Sequence, residues 1–375
     1  MSYTSEWLDL LFRWLHVIAA IAWIGSSFYF IALDNHLRPP ADSEDTERGV
    51  GGEAWEIHGG GFYHVQKYRL APGTLPEPLH WFKWEAYTTW LSGFALMIVL
   101  YYVNAKTYLI DKSVADLRPW QAIAISVALL VAAWLVYDGL CRLVQNEVAI
   151  AAALVVLVTL AAWGVSHLFS GRAEYIQIGA MLGTIMAANV FAVIIPAHWD
   201  LVRAKQRSVH NNYLTLPVVF TMISNHFPAT YGHSYSWLIL VALLVIGAWV
   251  RHFFNLRHTG RTAWWIPATA ALAIAAVAVA IRPHGSSGGS AVPFSRAEAI
   301  VHERCVPCHS AHPTMVNAAP LGIVFDTPAK IQRQASLIEQ VAVRTKVMPL
   351  GNRTGMTQAE RDALGAWIEH GAKTR

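Results

Sequence analysis

Five consecutive residues, Cys305-Val306-Pro307-Cys308-His309, hold the most chemistry for their length in this chain. Two thiols three positions apart can add to the vinyl groups of a haem, and the His that follows is placed to bind the iron. The run therefore reads as a c-type haem attachment site. A thioredoxin-like redox pair would need a βαβ setting, and a zinc site would need more Cys or His at metal-ligand spacing; the sequence has neither. The one other cysteine, Cys141, reads as a small buried apolar residue. Three cysteines exclude a disulfide framework.

A second axial ligand is expected downstream, from Met315, Met348, Met356, His312 or His370. Met348 is the choice. It lies in Lys346-Val347-Met348-Pro349-Leu350-Gly351, after a helix expected over 328–344 and before one that Thr357 caps in a TQAE box. A Met on a Pro/Gly loop between two helices is where small class I cytochromes c present their sulfur. Met–His ligation raises the potential and suits an electron carrier. Met356 reads as a loop apolar contact, and Trp367 as a core residue packed on the helix that leads into Cys305.

The elements that must position this site are set by composition. Of 375 residues, 55% are hydrophobic and only 14% charged, so much of the surface must meet something other than water. Eight apolar runs are expected to cross a bilayer: 7–33, 82–103, 120–137, 148–169, 175–197, 213–227, 237–254 and 264–281. The expected class is all-α, a polytopic bundle of about eight spans followed by a small class I cytochrome c domain. The divisions fall at 1–282, a Gly/Ser-rich linker over 283–293, and 294–375. A net charge of +4, spread over the loops, gives no nucleic-acid footprint. The first apolar run begins with acidic residues and has no small-residue cleavage site, so it reads as a span and not a signal peptide. Haem is attached to such motifs outside the bacterial cytoplasm, which places the C-terminus, and with eight spans the N-terminus, in the periplasm. The loops assigned to the cytoplasm then carry twelve Lys and Arg against five outside, in line with the positive-inside rule.

Ionisable groups in an apolar bundle are functional hypotheses. His16, His167 and His226 fall towards the outer side, where His16 with either of the others would suit a b-type haem. His80, His198, His252 and His258 collect at the inner ends, facing a loop with His36, His58 and His64. There the run Trp55-Glu56-Ile57-His58-Gly59-Gly60-Gly61-Phe62-Tyr63-His64, with Lys67, has the make-up of a small-molecule site. Glycines admit an anion to backbone N–H groups, aromatics stack on a planar ring, and His or Lys moves protons. Glu85, Asp200, Arg203, Asn211, Asn212 and Tyr213 are candidates to complete it.

Three long motifs, HGGGFYHVQKY, HNNYLTLPVVFTMISNHFP and CVPCH…VMPLGNRTGMT, together resemble the bacterial membrane-bound urate oxidases with a fused cytochrome c. The first helix, RWLHVIAAIAWIGSSFYF, is also similar to His-bearing helices of membrane-bound protoporphyrinogen oxidases and copper-resistance D-type proteins. The urate oxidase resemblance implies oxidation and hydration of urate to 5-hydroxyisourate. Electrons would leave through haem c to a respiratory-chain acceptor, a soluble cytochrome or terminal oxidase, from the inner membrane. For a planar anion, Lys67 and Arg203 are candidates for the charge, His58 or His64 for the base, and Tyr63 and Glu85 for neighbouring roles. Two rivals are a membrane-anchored cytochrome relay for a separate dehydrogenase, and a transporter with a regulatory tail.

Overall fold

The computed structural model describes residues 3–70, 82–196, 201–282 and 291–374. His80, His198, Asp200 and most of the expected linker lie outside these residues.

The first helix, α1 (Tyr3–His36), is about 51 Å long, more than a bilayer core requires. Leu10, Trp14, Ile18 and Ile21 recur at helical spacing and are all more than half exposed. Such a stripe is what a lipid-facing helix presents. A β-hairpin follows, β1 (Val50–His58) paired antiparallel with β2 (Gly61–Tyr68). This is the one departure from all-α among the described residues. Its signal was present in the sequence: two alternating runs joined by Gly59-Gly60, whose φ values of 58° and 81° are the positive pair that a tight hairpin turn demands. The glycines turn the chain.

Then come α2 (Trp84–Met97, continued by a π turn over Ile98–Tyr102), α3 (Pro119–Leu143) and α4 (Glu147–Ser166). They are followed by α5 (Gly171–Asn189, with a π turn over Val190–Ile194), α6 (Leu201–Ile223), α7 (Ser236–His258) and α8 (Trp265–Ala280). Asn146 and Ser170 cap α4 and α5 by accepting from the N–H groups of Ala149 and Ala173.

Among the described residues, five helices are long and apolar enough to cross a membrane: Trp7–His36, Pro119–Leu143, Glu147–Ser166, Gly171–Ile194 and Ser236–His258. The other three expected spans miss for identifiable reasons. Helix α2 opens with the polar and aromatic run Trp84-Glu85-Ala86-Tyr87-Thr88-Thr89-Trp90, the first half of α6 carries Arg203, Lys205, Arg207, His210, Asn211 and Asn212, and α8 is only 16 residues long. Helix α5 is the hub, with 61% of its span buried against 17–33% for the other four. It packs on α3 and α6, and α7 packs on α4, α6 and α8.

The C-terminal part has its own core of Ala297, Val301, Ile331, Leu364 and Trp367. Helices α9 (Phe294–Arg304) and α10 (Gln358–Glu369) pack together, and Phe294 lies 5.7 Å from Trp367, as expected of that tryptophan. The TQAE box caps α10, with Thr357 accepting from Glu360 N–H and Glu360 accepting from Thr357 N–H. The single helix expected over 328–344 is instead broken into Pro328–Arg333, Ala335–Ile338 and a π turn.

Candidate functional site

Residues Cys305, Cys308 and His309 follow α9 directly, wound so that the Cys308 and His309 N–H groups both donate to the Cys305 carbonyl. His309 Nδ1 lies 3.1 Å from the Ile323 carbonyl oxygen. A carbonyl can only accept, so Nδ1 carries the proton and Nε2 keeps its lone pair, which is the tautomer that an iron ligand needs. Burial pushes the Cys305 thiol up to about 12 and raises Cys308 as well. Neither thiol is lowered, as that of a redox nucleophile would be. This set fits covalent haem attachment.

The Met348 side chain packs on the same core, whereas Met356 is 3% exposed and fixed by two hydrogen bonds with Asn352. The Met348 backbone is held by Val341 O from one side and by Arg361 Nη1 at 2.7 Å from the other. His370 is occupied by its own helix through Ala366 O, and His312 is exposed. Arg304, the last residue of α9, pairs with Glu360 at 2.9 Å. Burial alone would raise the Glu360 carboxyl. The hydrogen bonds from Arg304 and Thr357 outweigh it and hold the group below its ordinary value.

The loop that carries Met348 is docked on the bundle. Val347 packs against the bundle core. Gly351, at φ 61°, sits so close to the segment after α2 that a Cβ there would lie 2.8 Å from the Thr107 carbonyl oxygen. Gly232, between α6 and α7, abuts the Thr345 carbonyl more closely still. Between the two parts lies a cavity of about 690 Å³, walled by Arg172, Glu174, Tyr231 and His167 on the bundle side and by Lys346 and Arg361 on the tail side. That volume suits a small organic ligand. Arg172 lies 5.8 Å from the ring centroids of both Tyr108 and Tyr231. Its Nε is buried without a partner, and so is Oε1 of Glu174, whose other oxygen accepts from Ser236 Oγ at 2.6 Å. The sequence reading missed this pair because it began the fifth span at Tyr175. The signal was two opposite charges next to an apolar run.

The inner cluster is divided by the hairpin. Successive residues of a strand face opposite ways, so His58, Tyr63 and Lys67 share one face while His64 lies on the other. His64 stacks on Trp55 at 4.3 Å and bonds Glu53 at 2.8 Å. Lys67 pairs with Asp34, which also binds Lys205, and Glu56 accepts from Tyr29. His58 and Tyr63 are exposed. Glu85 Oε2 is buried and unpartnered in the first turn of α2, and Arg203 lies in the first turn of α6. Of the expected group, Lys67 and Glu56 are tied to the end of α1, and His64 is paired within the hairpin itself.

His16 bonds Thr89 O and Ser92 Oγ of α2 through Nδ1. His167 bonds Trp163 O of its own helix, and His226 lines a second cavity beside Gln340 and Thr345 of the tail. Deeper in the bundle, Arg207 pairs with Asp138 at 2.7 Å, within a network of Asn189, Tyr137, His210 and Glu147. Asn211 joins it through Asn189, whereas Asn212 accepts from Arg251, and Tyr213 bonds His252. Among the described residues, no group of three or more His, Cys, Asp or Glu side chains is arranged to hold a metal ion.

In comparison with known proteins, residues 2–282 match the family model described as urate oxidase N-terminal. No curated protein and no solved structure matches the chain.

Proposed function

The chain belongs to the urate oxidase N-terminal family, and from that premise we propose that it is a membrane-bound oxidoreductase converting urate to 5-hydroxyisourate. The reaction takes urate and water to 5-hydroxyisourate, two protons and two electrons. Cys305, Cys308, His309 and Met348 would hold a haem c, which would supply a one-electron acceptor used twice per urate and reoxidised by a respiratory-chain carrier. The observation that carries this reading is the seating of the Met348 loop on the bundle through Val347 and Gly351. An electron acceptor built into the tail would then lie against the family domain, with no diffusing partner needed between them.

The chain's own residues have defined tasks in this reading. Ile323 O fixes the His309 tautomer, and Arg361 holds the Met348 backbone. Arg304 and Glu360 tie α9 to α10, so that the attachment site and the Met loop keep one geometry. In this reading the bundle lies in a bacterial inner membrane with both termini periplasmic, the side that the loop charge bias favours; that topology needs α2, α6 and α8 to complete the crossings beside the five longer helices.

The test is an anaerobic spectrum of the purified full-length protein with and without urate. Urate alone reducing the haem supports an enzyme. Reduction only after a second protein is added supports the relay reading instead, and urate uptake by vesicles without reduction supports a transporter.

A further inference from the structure

We propose that the cavity between the bundle and the tail is where urate binds, with Arg172 as its anion clamp and Glu174 as its proton acceptor. The proposal rests on the reading of the protein as a urate oxidase and adds where the substrate sits. Two buried polar atoms, Arg172 Nε and Glu174 Oε1, belong to residues that wall one cavity, and each lacks a protein partner. Arg172 has no carboxylate within salt-bridge distance among the described residues, and Glu174 is 1% exposed with no cation in that range. Arg172 is half-buried, with Nη2 donating to the Tyr231 hydroxyl at 3.4 Å and Nε left over; a guanidinium cannot shed its proton, so this remaining N–H and its charge call for an anion. A buried carboxylate oxygen with no donor calls for an N–H or O–H.

A ligand that answers both is planar, anionic at one edge and N–H bearing at another, and urate has that pattern. Tyr108, Tyr231 and Trp163 lie beside these groups and supply flat apolar surface for a purine. Among the described residues three arginines are buried outright, Arg207, Arg251 and Arg361, and none offers the same opening. Arg361, on the tail wall of this cavity, is committed to the Ala342 and Met348 carbonyl oxygens. Arg207 is neutralised by Asp138. Arg251 lies over Phe28 with Asn212 and walls neither described cavity.

The position also serves the chemistry. Lys346, two residues before Met348, is part of the cavity wall, so substrate bound there lies against the loop expected to ligate the iron. In the proposed step, a urate N–H bond breaks and its proton passes to Glu174 Oε1. Two electrons leave the ring one at a time for the acceptor that a tail-held haem c would supply, water adds at C5 of the oxidised ring with formation of a C–O bond, and the water's proton is released.

The test uses full-length, haem-loaded protein in detergent with Arg172→Gln, Arg172→Lys and Glu174→Gln, each checked for wild-type haem content and melting temperature. Equilibrium dialysis of radiolabelled urate against dithionite-reduced protein reads binding without turnover. Anaerobic stopped-flow reads urate-driven haem reduction. Arg172→Gln should weaken binding roughly 10- to 100-fold, with Arg172→Lys in between because it keeps the charge and loses the fork. Glu174→Gln should bind within a few fold of wild type yet slow haem reduction about 100-fold or more. Wild-type binding in Arg172→Gln, or wild-type reduction in Glu174→Gln, overturns the site while leaving urate oxidation standing. Wild-type protein that neither binds urate nor is reduced by it overturns the function itself.

Discussion

Replacing Gly351 by Ala should uncouple the tail from the bundle while sparing the tail's own fold. The residue lies at φ 61°, where an L side chain costs about 1–2 kcal/mol. The new Cβ would meet the Thr107, Lys106 and Ile110 carbonyl oxygens at 2.8, 3.0 and 3.2 Å, and these are backbone atoms that cannot swing aside. The tail core of Ile331, Leu364 and Trp367 is not touched. The backbone cost alone, borne by the docking equilibrium, lowers the docked fraction relative to the undocked by roughly 5- to 30-fold; the steric conflict adds to it. Anaerobic stopped-flow should then show urate-driven haem reduction slowed by at least that factor if the docked state dominates in neither protein, while reduction by dithionite keeps its wild-type rate. Limited proteolysis between bundle and tail should become faster. Unchanged urate-driven reduction together with unchanged proteolysis would refute the claim that this glycine seats the loop.

Three further outcomes follow. Asp138→Ala strands the Arg207 charge inside the bundle and should cost about 3–5 kcal/mol in thermal unfolding, while adding Arg207→Met should recover much of the loss; equal stability of the single and double variants would count against this. Because the Glu360 carboxyl is held below its ordinary value, its contribution to tail stability is present above the ordinary carboxylate range and is lost as the pH falls through it. Glu360→Gln should flatten that part of the acid melting curve of the haem-loaded protein, and an unchanged curve would speak against it. Met348→Ala should abolish the spectral signature of sulfur ligation and lower the potential, whereas Met356→Ala should chiefly destabilise the core that it fills.

Some of this was legible in the residues. The CxxCH run is visible from its own spacing alone, and the haem that it calls for is a proposal. The TQAE box declares the last helix, and the apolar runs declare most of the bundle, because each signal is local. The hairpin was legible too, in two alternating runs about Gly59-Gly60, but mixed aromatic and basic residues drew attention to their chemistry instead of their period. Period two is what undid the inner site, since it sends His58 and His64 to opposite faces. The cavity is a different case. Arg172, Tyr231 and Lys346 meet only when α5, the turn after α6 and the docked tail loop pack together, and no local pattern announces a contact across so much chain. The unpaired state of Arg172 Nε and Glu174 Oε1 is likewise a property of the assembled walls.

The most direct measurement of the central claim is a count of electrons. Full-length oxidised protein is mixed anaerobically with a known, limiting amount of urate, and reduced haem c is read from its absorption bands as urate is consumed. Two haems reduced per urate, with no hydrogen peroxide formed when air is readmitted during turnover with an acceptor, is the result expected here. Urate consumed with the haem still oxidised, or with stoichiometric peroxide, would contradict it.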